Sequence, residues 1–98
     1  MTEQIGPVAK RITKKLNDAF SPDRLEVINE SGMHAGHQEA FDGTGETHFR
    51  IRIVSAEFDG MARLARHRTV NDLLAEELSG PVHALAIEPA APGENVRW

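Results

Sequence analysis

Alternation of apolar and polar side chains is clearest in the middle of the chain. Phe49, Ile51 and Ile53 interleave with His48, Arg50 and Arg52 within Thr47–Ser55, the period-two pattern of a strand with one buried face. Upstream, Val8, Ile12, Leu16, Ala19 and Phe20 recur at helical spacing behind Gly6-Pro7. That spacing predicts an amphipathic first helix, opened by a proline whose missing N–H would be unpaired there in any case. Ser21-Pro22 ends it, because the residue before a proline is pushed out of helical backbone. In Arg24 to Glu30, Leu25 and Val27 alternate with Glu26 and Ile28, which predicts a first strand.

Beyond the central strand, Ser55 to Gly60 reads as a turn in which Phe58 folds back as an anchor and Gly60 supplies backbone freedom. Met61, Leu64 and Ala65 predict a short helical turn. Val70, Leu73, Leu74, Glu77 and Leu78 then hold i, i+3, i+4, i+8 spacing and define the main helix. Ser79-Gly80-Pro81 stops it, and Val82 to Ile87 predicts a third strand. The tail from Glu88 to Trp98, with two prolines and a glycine, is expected to be loosely ordered, with Trp98 available to dock.

The resulting order, α-β-β-α-α-β, predicts a two-layer α+β sandwich with a three-stranded mixed sheet and helices on one face. A helical crossover lets strands two and three lie parallel and adjacent, and strands one and two are antiparallel. A single domain over 1–98, with its core at about 7–88, follows from 98 residues of which 40% are hydrophobic. No apolar run is long enough to cross a bilayer. Met1 to Phe20 is charged and amphipathic rather than a secretory leader, so a cytoplasmic protein is expected.

Composition then narrows the chemistry. The absence of cysteine removes disulfides, thiol catalysis and thiolate metal ligands from this chain, leaving His, Asp and Glu for any metal. A net charge of −4 argues against a dedicated nucleic-acid binder. Lys10, Arg11, Lys14 and Lys15 form a basic face on the first helix, read as solvated.

Histidines supply the candidate site. Ser31 to Glu46 is a sixteen-residue connection, long for a hairpin. It holds His34 and His37, and His48 follows where the second strand begins, which gathers three of the chain's five histidines. Two histidines without a third fixed ligand define no metal geometry, and an exposed loop with chance histidines fits equally. The parallel pairing puts the starts of strands two and three at one sheet end, about 4.8 Å apart. His48, His83 and the His34/His37 loop therefore approach one another there. Parity opposes this, since His83 alternates with Leu85 and Ile87 whereas His48 opposes Phe49. A distorted strand end or a mobile loop is required. His83 alone also reads as a strand histidine satisfied by backbone.

Several stretches together resemble the BolA family: Asn29-Glu30-Ser31, the His34 loop, Glu46-Thr47-His48-Phe49-Arg50, Ile53-Val54-Ser55 with Phe58 and Gly60, Arg66-His67-Arg68, Ala75-Glu76-Glu77-Leu78 and Val82-His83-Ala84-Leu85. The resemblance runs from about Val8 to Ile87. It implies a KH-like, type II fold of αββααβ order. It also implies pairing with a monothiol, CGFS-type glutaredoxin as a heterodimer, around a two-iron two-sulfur cluster shared with that partner and its glutathione. The activity implied is cluster trafficking or iron regulation. His83 matches the family's invariant ligand; His34 matches the second, loop-borne ligand best, with His48 and His37 as alternatives. Imidazole ligands on one iron raise its potential. No cluster is expected to stay tightly bound to the isolated chain. The family's usual ending departs here to Pro92, Glu94 and a displaced Trp98.

A second activity implied by the resemblance is that of a DNA-binding transcriptional regulator of stress response, cell morphology or biofilm formation. Arg63, Arg66, His67 and Arg68 would then meet phosphates. Asp59, Asp72, Glu76 and Glu77 flank them, so capping or ion pairing of the arginines has equal weight. This activity ranks second, and a weak homodimer is compatible with either. An enzyme ranks third, because the chain has no zinc-helix, nucleophile-elbow or phosphate-loop motif.

Overall fold

The structure is a computed structural model that describes residues 6–30, 46–96 and 98. Its elements are α1 (Pro7–Phe20), β1 (Arg24–Asn29), β2 (His48–Val54), a 3-10 turn at Ala56–Phe58, α2 (Arg63–Leu73), α3 (Ala75–Leu78) and β3 (Ala84–Ala90). The sheet runs β1-β2-β3, with β1 antiparallel and β3 parallel to β2. This is the α+β, three-stranded mixed sheet expected from the periodicity. Among the described residues, no helix is long and apolar enough to cross a membrane.

The alternation in β2 decides which face is buried. Phe49, Ile51 and Ile53 are fully buried against Ile12 and Leu16 of α1 and against Val70 and Leu74 of the helical crossover between β2 and β3. The opposite face carries the charges. Arg50 meets Glu30 at 2.7 Å and Glu88 at 2.5 Å, and Arg52 lies 3.4 Å from both Glu26 and Glu88. Half-buried pairs of this kind neutralise the open face without needing a second layer of helices.

Phe58 is the anchor that the turn predicts: it is wholly buried, with its ring 4.9 Å from that of Phe20. Gly60 has a φ of 83°, in the left-handed region where glycine is unstrained. Ser55 is buried beside them. Its hydroxyl donates to the Phe20 carbonyl at 2.7 Å and accepts the Glu57 N–H at 3.1 Å, tying the end of α1 to the end of β2.

Elsewhere the elements depart from the expected ones. On α1 the buried position is Ala9, not Ala19, which is exposed. The expected short turn at Met61 to Ala65 and the main helix divide differently: α2 is continuous from Arg63, and the break falls at Leu74. There φ −101° and ψ 22° interrupt the helix and start α3. The break lets both Leu74 and Glu77 be fully buried, whereas Leu64 on α2 stays 61% exposed. β3 runs past Ile87 through Pro89 to Ala90, as an edge strand permits because one side of its backbone needs no ladder donor.

Candidate functional site

Two of the singled-out histidines meet at the end of the sheet where β2 and β3 both begin. His48 is the first residue of β2, opposite Ala84 in the parallel register, and His83 directly precedes β3. Their ring centres are 6.2 Å apart with the planes at 69°. The parity conflict disappears because His83 lies outside the regular strand. Its N–H donates to the Thr47 carbonyl at 2.7 Å, and the Ala84 N–H reaches the same oxygen at 3.2 Å. His83 is exposed and His48 half-buried. The Thr47 hydroxyl lies 2.9 Å from His48 Nδ1, a contact that helps to hold the ring in place. His34 and His37 lie outside the described residues.

The pair fits a metal in part. Two imidazoles on one tetrahedral ion, with metal–nitrogen bonds of about 2.1 Å, place their ring centres about 5 Å apart. The observed separation is about 1 Å wider, a difference that side-chain rotation covers. Among the described residues no group of three or more His, Asp or Glu side chains gathers to hold a metal. Thiolates or further imidazoles are needed to complete a coordination shell.

The four basic candidates lie apart from this pair, on α2. Arg66 is already engaged: its Nη1 and Nη2 donate to the two carboxylate oxygens of Glu94 at 2.7 and 2.9 Å, and its Nε donates to the Met61 carbonyl at 2.9 Å. The Arg66 bond, with the Ala91 N–H, holds the Glu94 carboxyl down at about 2. Arg63 and Arg68 are exposed and form no ion pair among the described residues. Arg63, Arg66 and His67 line a cleft of about 400 Å³ with Glu88, Glu94 and Trp98. The tail thus packs against α2 and β3, and the Trp98 ring lies 4.7 Å beneath the Arg24 guanidinium.

Two acids carry structural roles that patterning left unassigned. Glu77 on α3 is fully buried and accepts from Lys15 at 3.0 Å and from Arg11 Nη2 at 3.2 Å. Two residues of the basic face of α1 therefore pair with a buried acid while keeping contact with solvent. The sequence did hold a signal, since Glu77 occupies a position on the apolar stripe of Val70, Leu73 and Leu74. Glu46 is likewise buried, beside the amino end of α1, with only its place next to Thr47-His48 to mark it.

Comparison with known proteins agrees with this architecture. Residues 16–94 match the family model described as BolA-like protein. An uncharacterized protein in the cobS 5' region of Sinorhizobium sp. is 64% identical over 93% of this chain and 98% of its own. BolA-like protein 1 of Mus musculus is 51% identical over 91% of this chain, which spans 61% of the mouse protein. The DNA-binding transcriptional regulator BolA of Vibrio cholerae is 49% identical over 78% of this chain and 67% of its own. Among solved structures, the BolA domain of SufE1 from Arabidopsis thaliana superposes with a TM-score of 0.82 at 42% identity, covering 94% of this chain and all of that domain.

Proposed function

The chain belongs to the BolA-like protein family, and from that membership we propose that it pairs with a monothiol glutaredoxin and shares a two-iron two-sulfur cluster with it. His83 supplies one ligand. A second imidazole comes from the connection between β1 and β2, as His34 or His37, or from the start of β2, as His48. The role is carriage of the cluster, without catalysis by this chain. Glutaredoxin and glutathione provide the sulfur that a cysteine-free chain lacks. The observation that supports this reading is the His48–His83 pair, 6.2 Å between ring centres at one exposed sheet end.

Anaerobic titration of this protein into cluster-loaded monothiol glutaredoxin, followed by visible circular dichroism and light scattering, tests the proposal. The expected result is a one-to-one complex with a new spectrum that His83→Ala abolishes. Single alanine substitutions at His34, His37 and His48 then identify the second ligand. An unchanged spectrum with the wild-type protein would overturn the cluster role.

DNA binding is the second reading, favoured by Arg63 and Arg68, which are exposed and form no ion pair among the described residues, and by the similarity to the DNA-binding transcriptional regulator BolA of Vibrio cholerae. Under it, Arg63→Ala with Arg68→Ala lowers the salt dependence of DNA affinity measured by fluorescence anisotropy. Binding that keeps its salt slope in the double variant counts against it.

A further inference from the structure

Glu46 is 4% exposed although it leads into the sheet end where the histidines meet. Its carboxylate spans to the first turn of α1, accepting the Ala9 N–H at 3.0 Å on Oε2 and the Val8 N–H at 3.3 Å on Oε1. These are two of the donors that a helix cannot satisfy internally. The residue at the cap, Gly6, has no side chain to serve them. A Cβ at Gly6 would lie 2.5 Å from the Glu46 carboxyl carbon, so the absence of a side chain there makes the room that Glu46 fills.

A helix does not need such a distant partner. Gly6 has φ −75° and ψ 174°, the extended backbone from which Ser or Asp caps a helix locally. The cap instead comes from 37 residues away. What the longer route adds is coupling. The residue after Glu46 is Thr47, whose carbonyl accepts the N–H groups of both His83 and Ala84; the next is His48. One carboxylate thus fastens to α1 the short run of backbone on which both imidazoles depend.

We infer that Glu46 is a positioning residue. By hooking onto the amino end of α1 it fixes Thr47 and His48, and through the Thr47 carbonyl it sets the distance between the His48 and His83 rings. Its effect on cluster binding rests on the function proposed above, whereas its effect on ring geometry does not.

Three proteins separate positioning from simple capping: the wild type, Glu46→Ala, and Glu46→Ala combined with Gly6→Asp, in which the new carboxylate recaps α1 in the vacated space. Each is followed by thermal unfolding, by nuclear Overhauser contacts between the His48 and His83 ring protons in the metal-free protein, and by dichroism on titration with cluster-loaded glutaredoxin. Glu46→Ala lowers the melting temperature and loses the ring contacts. The recapped variant regains most of the melting temperature, but not the ring contacts, and its affinity for the loaded partner falls by about tenfold or more. Recovery of the ring contacts together with the melting temperature would reduce Glu46 to a cap and overturn the inference, as would ring contacts that persist in Glu46→Ala. Should Glu46→Ala not fold, Glu46→Gln, which keeps the bulk and one acceptor, is read by the same contacts. A wild type that gives no spectral change with glutaredoxin defeats the cluster reading, and the ring contacts still decide the role of Glu46.

Discussion

Lys15 on α1 and Glu77 on α3 form an ion pair at 2.9 Å, with the Glu77 side chain 1% exposed and Lys15 at 30%. Arg11 reaches the same carboxylate at 3.2 Å. The pair joins two elements that share little other surface, and it places an ionised acid inside the fold.

Burial pushes the Glu77 carboxyl upward. Hydrogen bonds from Lys15, its own backbone N–H and Arg11 outweigh that, so its pKa lies below the ordinary 4.5. A group with a depressed folded value contributes stability that is complete above its unfolded value and is lost as pH falls through the folded one. Glu77→Gln is therefore expected to cost about 1–3 kcal/mol at pH 7. The lower range applies because Arg11 and Lys15 keep contact with water when their partner is lost. Urea unfolding at pH 7 and at successive points below 4.5 checks this: the gap between wild type and variant narrows as the pH falls.

The fork of Arg66 on Glu94 is the fastening of the tail. With the Glu94 carboxyl lowered from 4.5 to about 2, the contact is complete above 4.5 and disappears as the pH drops through about 2. Glu94→Gln at neutral pH is expected to speed amide hydrogen exchange across residues 91–96 while leaving β2 protected. Under the DNA reading the same variant frees Arg66 and steepens the salt dependence of DNA affinity by about one phosphate contact, a slope change of about 0.9. Exchange mass spectrometry and anisotropy over a salt series measure the two effects.

His83→Ala is expected to leave stability within about 0.5 kcal/mol of wild type, since the ring is exposed and the bond to Thr47 is made by its backbone N–H. Phe58→Ala, which empties a fully buried site beside Phe20, is expected to cost about 3–5 kcal/mol. Urea unfolding of both variants distinguishes a ligand position from a core position. A large loss at His83 would show that its substitution does not report on cluster binding alone.

How much of the site was legible follows from how local each signal is. His83 and the His34/His37 loop were marked by the family's motifs, and His48 by its place at a strand start. The approach of His48 and His83 followed from the parallel pairing only with a distorted strand end, because strict alternation sends the two to opposite faces. The conflict is removed where the His83 N–H bonds to the Thr47 carbonyl and β3 starts at Ala84, two residues later than the expected Val82. Arg66 was legible as a cation but not as a fastening, because its partner Glu94 lies 28 residues on, in a tail with no periodic pattern.

Periodicity by itself determined the element order, the buried face of β2, the anchor at Phe58 and the glycine at position 60, because each depends on neighbours within a turn or a strand. Tertiary structure decided which of the described acidic residues go inside. Glu46 and Glu77 do so because N–H groups and cations from α1, brought in from 37 to 66 positions away, compensate for the water they lose. A carboxylate is buried only where such donors converge, and that convergence comes with packing α1 against the sheet.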